Sequence, residues 1–176
     1  MGDPPFAIQP LSGTQVVSLQ ASSAQTATLQ ALASQFLHIT LPQGPRCAQA
    51  PELTCLGVGP RRWLLIRRAA DNAWPSAVEQ MLGGVAAVCD QSDGYVIFEA
   101  WGTQVRSVLA RGVSVDLHPR SLQADAVAVT QVGHINVVLW HGPQDGSHRF
   151  CLAVGRSYAE SFMRFWQPQV GSGNGT

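Results

Sequence analysis

Apolar residues gather into short runs broken by Gly, Pro, Ser and Asp, and the spacing inside the runs alternates between strand-like and helix-like. Val16 to Leu19 reads as a first strand. Ser22 or Ser23 is placed to cap a helix that carries Leu29, Leu32, Phe36 and Leu37 on one face. Pro42 to Pro51 is a Pro/Gly/Gln-rich loop and the expected internal joint. Leu53 to Val58 and Trp63 to Arg67 are strands joined by a Gly-Pro turn. A second helix starts near Pro75, with Ser76 and Glu79 at capping-box spacing, buries Val78, Met81 and Leu82, and stops at Gly83-Gly84.

Val85 to Gln91 and Tyr95 to Gly102 then read as a central strand pair. The Ser92-Asp93-Gly94 turn between them holds the Asp-Gly step that favours a tight hairpin. In the second strand Val96, Phe98 and Ala100 face one way, and Tyr95, Ile97, Glu99 and Trp101 the other. A small helix over roughly Thr103 to Arg111 buries Val105, Val108 and Leu109, with Gly112 suited to its end. Val127 to Val132 and Ile135 to Trp140 form a hairpin turning at Gly133-His134. Arg149 to Val154 is the last strand. Ser157 and Glu160 then predict a capping box for a final helix bearing Tyr158, Phe162, Phe165 and Trp166.

This strand-strand-helix grammar occurs at least twice and predicts an α+β fold of antiparallel sheets with helices on one side. Residues 1–15 read as an irregular N-terminal arm, 16–168 as the folded domain and 169–176 as a flexible tail.

Composition narrows the functions available. Eleven basic residues balance eleven acidic ones, so no net field draws the chain to nucleic acid or an anionic membrane. Only 12% of residues are charged, a surface poorly protected against association and suited to life inside an assembly. Every basic residue is Arg, which removes Schiff-base, general-base and P-loop lysine chemistry. Cys47, Cys55, Cys89 and Cys151 form no Cys-x-x-Cys pair and are read as reduced thiols of a cytoplasmic protein, with a Cys47–Cys55 disulfide the less favoured reading. Cys89 and Cys151, within apolar runs, are expected to behave as small hydrophobes. Met1 to Pro10 lacks the pattern of a secretory signal, and no apolar run nears the roughly 20 residues that span a bilayer. A soluble protein is expected.

Few motifs point to chemistry. Gly57-Val58-Gly59 lacks the third glycine of a dinucleotide fingerprint, and a strand follows where a phosphate-binding helix would begin. Asp116, His118 and Arg120 resemble an acid-base set, yet a loop whose polar side chains bond the backbone is the favoured reading. His38, His134, His141 and His148 are scattered without ligand spacing, and His134 and His148 fall in expected turns. Gly-x-Ser-x-Gly is absent. Catalytic, cofactor-binding and metal residues are therefore all assigned as none. Among five tryptophans, Trp74 and Trp166 sit at element boundaries and are candidate interface anchors. Arg61, Arg62, Arg67 and Arg68 flank a strand, either as a solvated edge or as a contact for an acidic partner, and Arg61 and Arg62 join the interface candidates.

The stretch Cys89 to Arg120, CDQSDGYVIFEAWGTQVRSVLARGVSVDLHPR, resembles the gamma subunit of heterotetrameric sarcosine oxidase. The likeness covers about Leu56 to Trp166. It is carried by Gly59-Pro60-Arg61-Arg62-Trp63-Leu64-Leu65, by Ser92-Asp93-Gly94, by Asp116-Leu117-His118-Pro119-Arg120, by Gly133-His134 and by the Arg156-Ser157 helix. Tyr95, Glu99 and Trp101 stand where relatives often have Arg and Ser-Gly, and Trp101-Gly102-Thr103 replaces the usual Gly-Pro. These departures leave room for a sister complex acting on another N-methyl amino acid.

The resemblance implies paired ferredoxin-like units, as in the folate-binding aminomethyltransferase-like superfamily. It also implies a non-catalytic assembly subunit packed on alpha in an αβγδ complex with beta and delta. Such complexes demethylate sarcosine oxidatively to glycine, giving hydrogen peroxide and, with tetrahydrofolate, methylenetetrahydrofolate. FAD and FMN are then expected with beta and its alpha interface, NAD and tetrahydrofolate with alpha and zinc with delta, and none with this chain. The alternative is a stand-alone folate-binding protein of one-carbon transfer, in which Glu99 or Asp116 would meet the pterin ring.

Overall fold

The structure, a computed structural model, describes residues 3–68, 73–142 and 149–170. It divides into two compact units, Ser12–Gly94 and Met1–Leu11 with Tyr95–Thr176.

The Ser12–Gly94 unit runs β2 (Thr14–Gln20), α1 (Thr26–Leu37), β3 (Cys47–Ala50), β4 (Leu53–Gly59), β5 (Arg62–Arg68), α2 (Trp74–Leu82) and β6 (Ala87–Asp90), after β1 (Ala7–Pro10) of the other unit. Its antiparallel sheet has the order β3-β4-β5-β2-β6. Val17, Leu19, Cys55, Trp63 and Leu65 of the sheet, Leu29 and Ala33 of α1, and Trp74, Val78 and Leu82 of α2 form one core. Trp63 satisfies its ring N–H on the Pro42 carbonyl at 2.9 Å.

The second unit runs β7 (Tyr95–Trp101), α3 (Val105–Leu109), β8 (Val127–Val132), β9 (Ile135–His141), β10 (Arg149–Gly155) and, after a 3-10 turn at Arg156–Tyr158, α4 (Ala159–Val170). Its sheet order is β1-β7-β10-β9-β8. Element by element, β2-α1-β3-β4-β5-α2-β6 matches β7-α3-β8-β9-β10-α4 with β1 standing where β6 stands. Each unit is a ferredoxin-like β-α-β-β-α-β arrangement with one added flanking strand. The α+β reading and its paired units therefore hold.

Several local expectations change. The Val85–Gln91 and Tyr95–Gly102 hairpin does not form: β6 pairs with β2, whereas β7 pairs with β1 and β10. The reason is local bonding at Ser92. The Asp90 carboxylate accepts from the Ser92 N–H (2.9 Å) and hydroxyl (2.6 Å), and Ser92 Oγ accepts from the Val16 N–H at 3.1 Å. Gln91 N–H adds a bond to the Val16 carbonyl at 2.7 Å. Together these hold the end of β6 on β2, and Ser92-Asp93-Gly94 becomes the passage from one sheet to the other.

The arm over 1–15 is not irregular throughout. Ala7–Pro10 form β1, in register from Ala7 opposite Trp101 to Pro10 opposite Phe98, and Phe6 and Ile8 are buried in the core. The 16–168 span is two units, and the Pro42–Pro51 joint lies inside one of them, where Cys47–Ala50 pair with β4. The tail from 169 begins inside α4, and residues 171–176 lie outside the described residues, as does His148. The three side-chain caps do not form. Gln25 and Ala73 take the cap positions of α1 and α2 without side-chain bonds, so α1 begins after Ser22 and Ser23, Ser76 lies inside α2, and Ser157 lies in the 3-10 turn ahead of α4. Cys89 is exposed because β6 is a four-residue edge strand, whereas Cys55 and Cys151 are buried. None of the four cysteines forms a disulfide, and burial, with the nearby Cys47, pushes the Cys55 thiol far up.

Candidate functional site

The segment from Val113 to Asp125, between α3 and β8, holds the sequence-predicted Asp116, His118, Pro119 and Arg120. Leu117 and Leu122 drop into the core at 2% and 6% exposure and plug the segment down at two points. His118, Pro119 and Arg120 between them, and Asp116 just before, are exposed.

Asp116 builds the turn. One carboxylate oxygen accepts from the His118 N–H at 2.9 Å and the other from the Ser121 hydroxyl at 2.6 Å. His118 Nδ1 accepts from the Arg120 N–H at 3.2 Å, and the His118 carbonyl takes the N–H groups of Ser121 (2.8 Å) and Leu122 (2.9 Å). The Ser121 and His118 bonds, in that order, hold the Asp116 carboxyl below its ordinary range. The backbone-bonding reading of this loop therefore holds.

A carboxylate whose folded pKa is depressed adds stability above its unfolded pKa and loses it as pH falls through the folded value. Wild type should thus be more stable than Asp116→Asn at neutral pH. That advantage should shrink as pH drops below the ordinary value of 3.8. Urea midpoints of both proteins between pH 7 and pH 3 check this, and a difference that grows on acidification would contradict it.

Two residues clamp the loop from beneath, Arg106, which sequence reasoning missed, and His141, which it read only as one of the scattered histidines. Arg106 of α3 donates from Nη1 to the Leu117 carbonyl and lies 5.2 Å from the centre of the Phe150 ring. Partial burial pulls its pKa below the ordinary arginine value. His141 of β9 stacks on the same ring at 4.7 Å, with Nε2 3.4 Å from the Leu122 carbonyl. Arg106 was legible only as the one charged residue among the apolar positions of α3. Nothing in sequence spacing joins it to Phe150, 44 positions away.

The other candidates do not converge on this loop. Trp74 and Trp166 are buried at 7% and 1%, so neither is an exposed anchor. Each packs into the core of its own unit, Trp74 with Val78 and Leu82 and Trp166 with Phe162. Arg61 and Arg62 are exposed at the β4–β5 turn, Arg61 with a left-handed φ of 52° and Arg62 bonded through Nε to Gln20 at 3.3 Å. Arg67 lies at the far end of β5 and pairs with Glu52 at 3.2 Å, so the four arginines make no single patch. Gly57-Val58-Gly59 is a β-bulge, with the Gly57 N–H bonded to Arg46. Glu99, one of the two candidates for the acid that would meet a pterin, is mostly buried and ion-paired with Arg149 at 3.3 Å. Among the described residues no three His, Cys, Asp or Glu side chains gather to hold a metal, and no helix is long and apolar enough to cross a membrane.

Residues 19–172 match the sarcosine oxidase gamma subunit family. Among solved structures, heterotetrameric sarcosine oxidase from Corynebacterium sp. U-96, in complex with pyrrole 2-carboxylate, is similar over 100% of this chain and 89% of that one, with a TM-score of 0.84 and 20% identity. The glycine cleavage system aminomethyltransferase T from Bartonella henselae is similar over 96% of this chain, with a TM-score of 0.70 and 15% identity. The chain spans 47% of that relative's length. No curated protein gives a match.

Proposed function

The chain belongs to the sarcosine oxidase gamma subunit family, and we propose that it is the non-catalytic gamma subunit of a cytoplasmic heterotetrameric oxidase, packed on alpha beside beta and delta. That complex would demethylate sarcosine to glycine, with hydrogen peroxide and, given tetrahydrofolate, methylenetetrahydrofolate as further products. FAD, FMN, NAD, zinc and tetrahydrofolate would reside in the other subunits. The observation that carries the reading is the family match across residues 19–172, which takes in most of both ferredoxin-like units. The chemistry of the chain agrees with it. Lysine is absent, and both candidates for the one acid of a folate site are engaged, Glu99 by Arg149 and Asp116 by Ser121 and the His118 N–H.

The test is affinity capture of the tagged chain from its native host, with an absorption spectrum of the eluate and a sarcosine-dependent peroxide assay. Larger subunits bearing flavin absorption, with peroxide release on sarcosine, are expected. A colourless chain eluting alone would sink the proposal and bring forward the stand-alone folate-binding reading. Calorimetry with tetrahydrofolate would then decide that alternative.

A further inference from the structure

We infer that the exposed tip His118-Pro119-Arg120 is a rigid docking point that receives a carboxylate side chain of a partner subunit. This rests on the proposed membership of an oxidase complex and adds where, and by what chemistry, the chain is held.

The argument begins with which groups at the tip are already used. Asp116 spends both oxygens inside the loop, and the His118 carbonyl accepts two N–H groups. His118 Nδ1 accepts the Arg120 N–H, so the neutral ring carries its proton on Nε2 and presents a donor outward. Pro119 contributes no N–H. The Arg120 guanidinium is exposed and has no carboxylate within ion-pair reach among the described residues. The tip therefore presents the Arg120 guanidinium and the His118 Nε2 donor outward, while the Asp116 carboxylate is engaged by its own loop. That inventory complements a carboxylate, which accepts on two oxygens and pairs with guanidinium in a bidentate fork.

Rigidity is the second argument. Leu117 and Leu122 anchor the loop in the core, and Arg106 and His141 clamp it through those residues' carbonyls. An ordered tip loses little backbone freedom when a partner seats on it, which favours association. Arg is also over-represented where interfaces concentrate their binding energy.

The test uses the tagged full chain as wild type, Arg120→Gln, Arg120→Lys and His118→Asn, each capturing flavin-bearing subunits from host extract and then washed at rising salt. Asn keeps an acceptor for the Arg120 N–H, and its shorter side chain draws its amide donor back from the position that Nε2 holds. Arg120→Gln should release the flavin-bearing subunits at a salt concentration lower by about two-fold or more, because an ion pair and its screening are both lost. Arg120→Lys should fall between it and wild type, and His118→Asn should shift in the same direction. Thermal midpoints of the free chains should stay together, since the altered groups are exposed. Equal retention of all four proteins would overturn the docking point while leaving the complex intact. If wild type itself captures no flavin-bearing subunit, the oxidase reading fails, and the docking point falls with it.

Discussion

Trp166→Ala should lower the unfolding free energy by about 3–5 kcal/mol, the range for emptying a large aromatic site in a packed core. Trp166 is 1% exposed and is held by three rings: Phe165 edge-on at 4.8 Å, Phe6 at 5.9 Å and Phe162 edge-on at 6.2 Å. Phe162 in turn meets Phe98 of β7 at 4.8 Å, so the indole joins α4, the N-terminal segment and the sheet. Gly112 lies against the same group, where a Cβ would come within 2.9 Å of the indole and 2.5 Å of Phe165. No neighbouring side chain can swing in to fill such a void without leaving its own site. Trp166→Phe should be far milder, about 1 kcal/mol, because the buried indole N–H has no acceptor among the described residues and its removal recovers part of the lost contact. Urea unfolding of the three proteins is the measurement. A loss below about 1 kcal/mol for the alanine variant would mean that α4 does not close this core.

Gly102→Ala should be nearly as damaging, at about 2–4 kcal/mol, from left-handed strain plus a backbone collision. Gly102 has a φ of 126°, and a Cβ there would sit 2.5 Å from the Pro4 carbonyl oxygen and 2.7 Å from that of Pro5. Those carbonyls are in use: Pro4 accepts from the Thr103 N–H at 3.0 Å and Pro5 from the Gln104 N–H at 2.7 Å. They thereby satisfy donors just ahead of α3 that otherwise lack partners. The collision should therefore loosen two features at once, the entry to α3 and the docking of β1. Amide exchange at Ile8 and Gln9 should accelerate in the variant alongside the drop in stability. Gly84→Ala, where a Cβ meets nothing within 4 Å, should stay within about 0.5 kcal/mol of wild type. Unchanged exchange in β1 would show that the segment is held without the Pro4 and Pro5 bonds.

The Gly102-Thr103 step gains a physical sense from the same geometry. Trp101 ends β7 opposite both Ala7 and Arg149, and Gly102 supplies the backbone turn that lets the N-terminal segment pass close by. A proline at Thr103 could not donate the N–H that Pro4 receives.

What the sequence determined by itself was what short-range spacing encodes. The hairpin at Gly133-His134 is legible because Gly133 adopts a φ of 57° between two apolar runs that pair from Val127 opposite Trp140 to Val132 opposite Ile135. The alternation of β7 is legible as well, with Phe98 and Ala100 in the core beside α4. So are the buried faces of α2 and α3, and a signature loop whose Asp116 bonds its own neighbours within five residues. Resemblance in the wording of these segments pointed to the family.

The tertiary structure decided which strands meet beyond the local hairpins. Asp-Gly between β6 and β7 predicts a hairpin, but pairing is a contest among all available edges, and the Ser92 and Gln91 bonds to Val16 give β6 to β2. β1 was illegible because four residues with a terminal proline carry too little pattern to read as a strand. It becomes one only because β7 leaves an edge open and the core accepts Phe6 and Ile8. Trp74 and Trp166 looked like anchors because spacing says which residues share a face, not what covers that face. The clamp of Arg106 and His141 on Phe150 was likewise beyond reach, since it depends on α3, β9 and β10 coming together around one ring. Local propensity writes the elements and some of their turns. Edge competition and core closure, which are many-body and act between residues far apart in the chain, choose the partners.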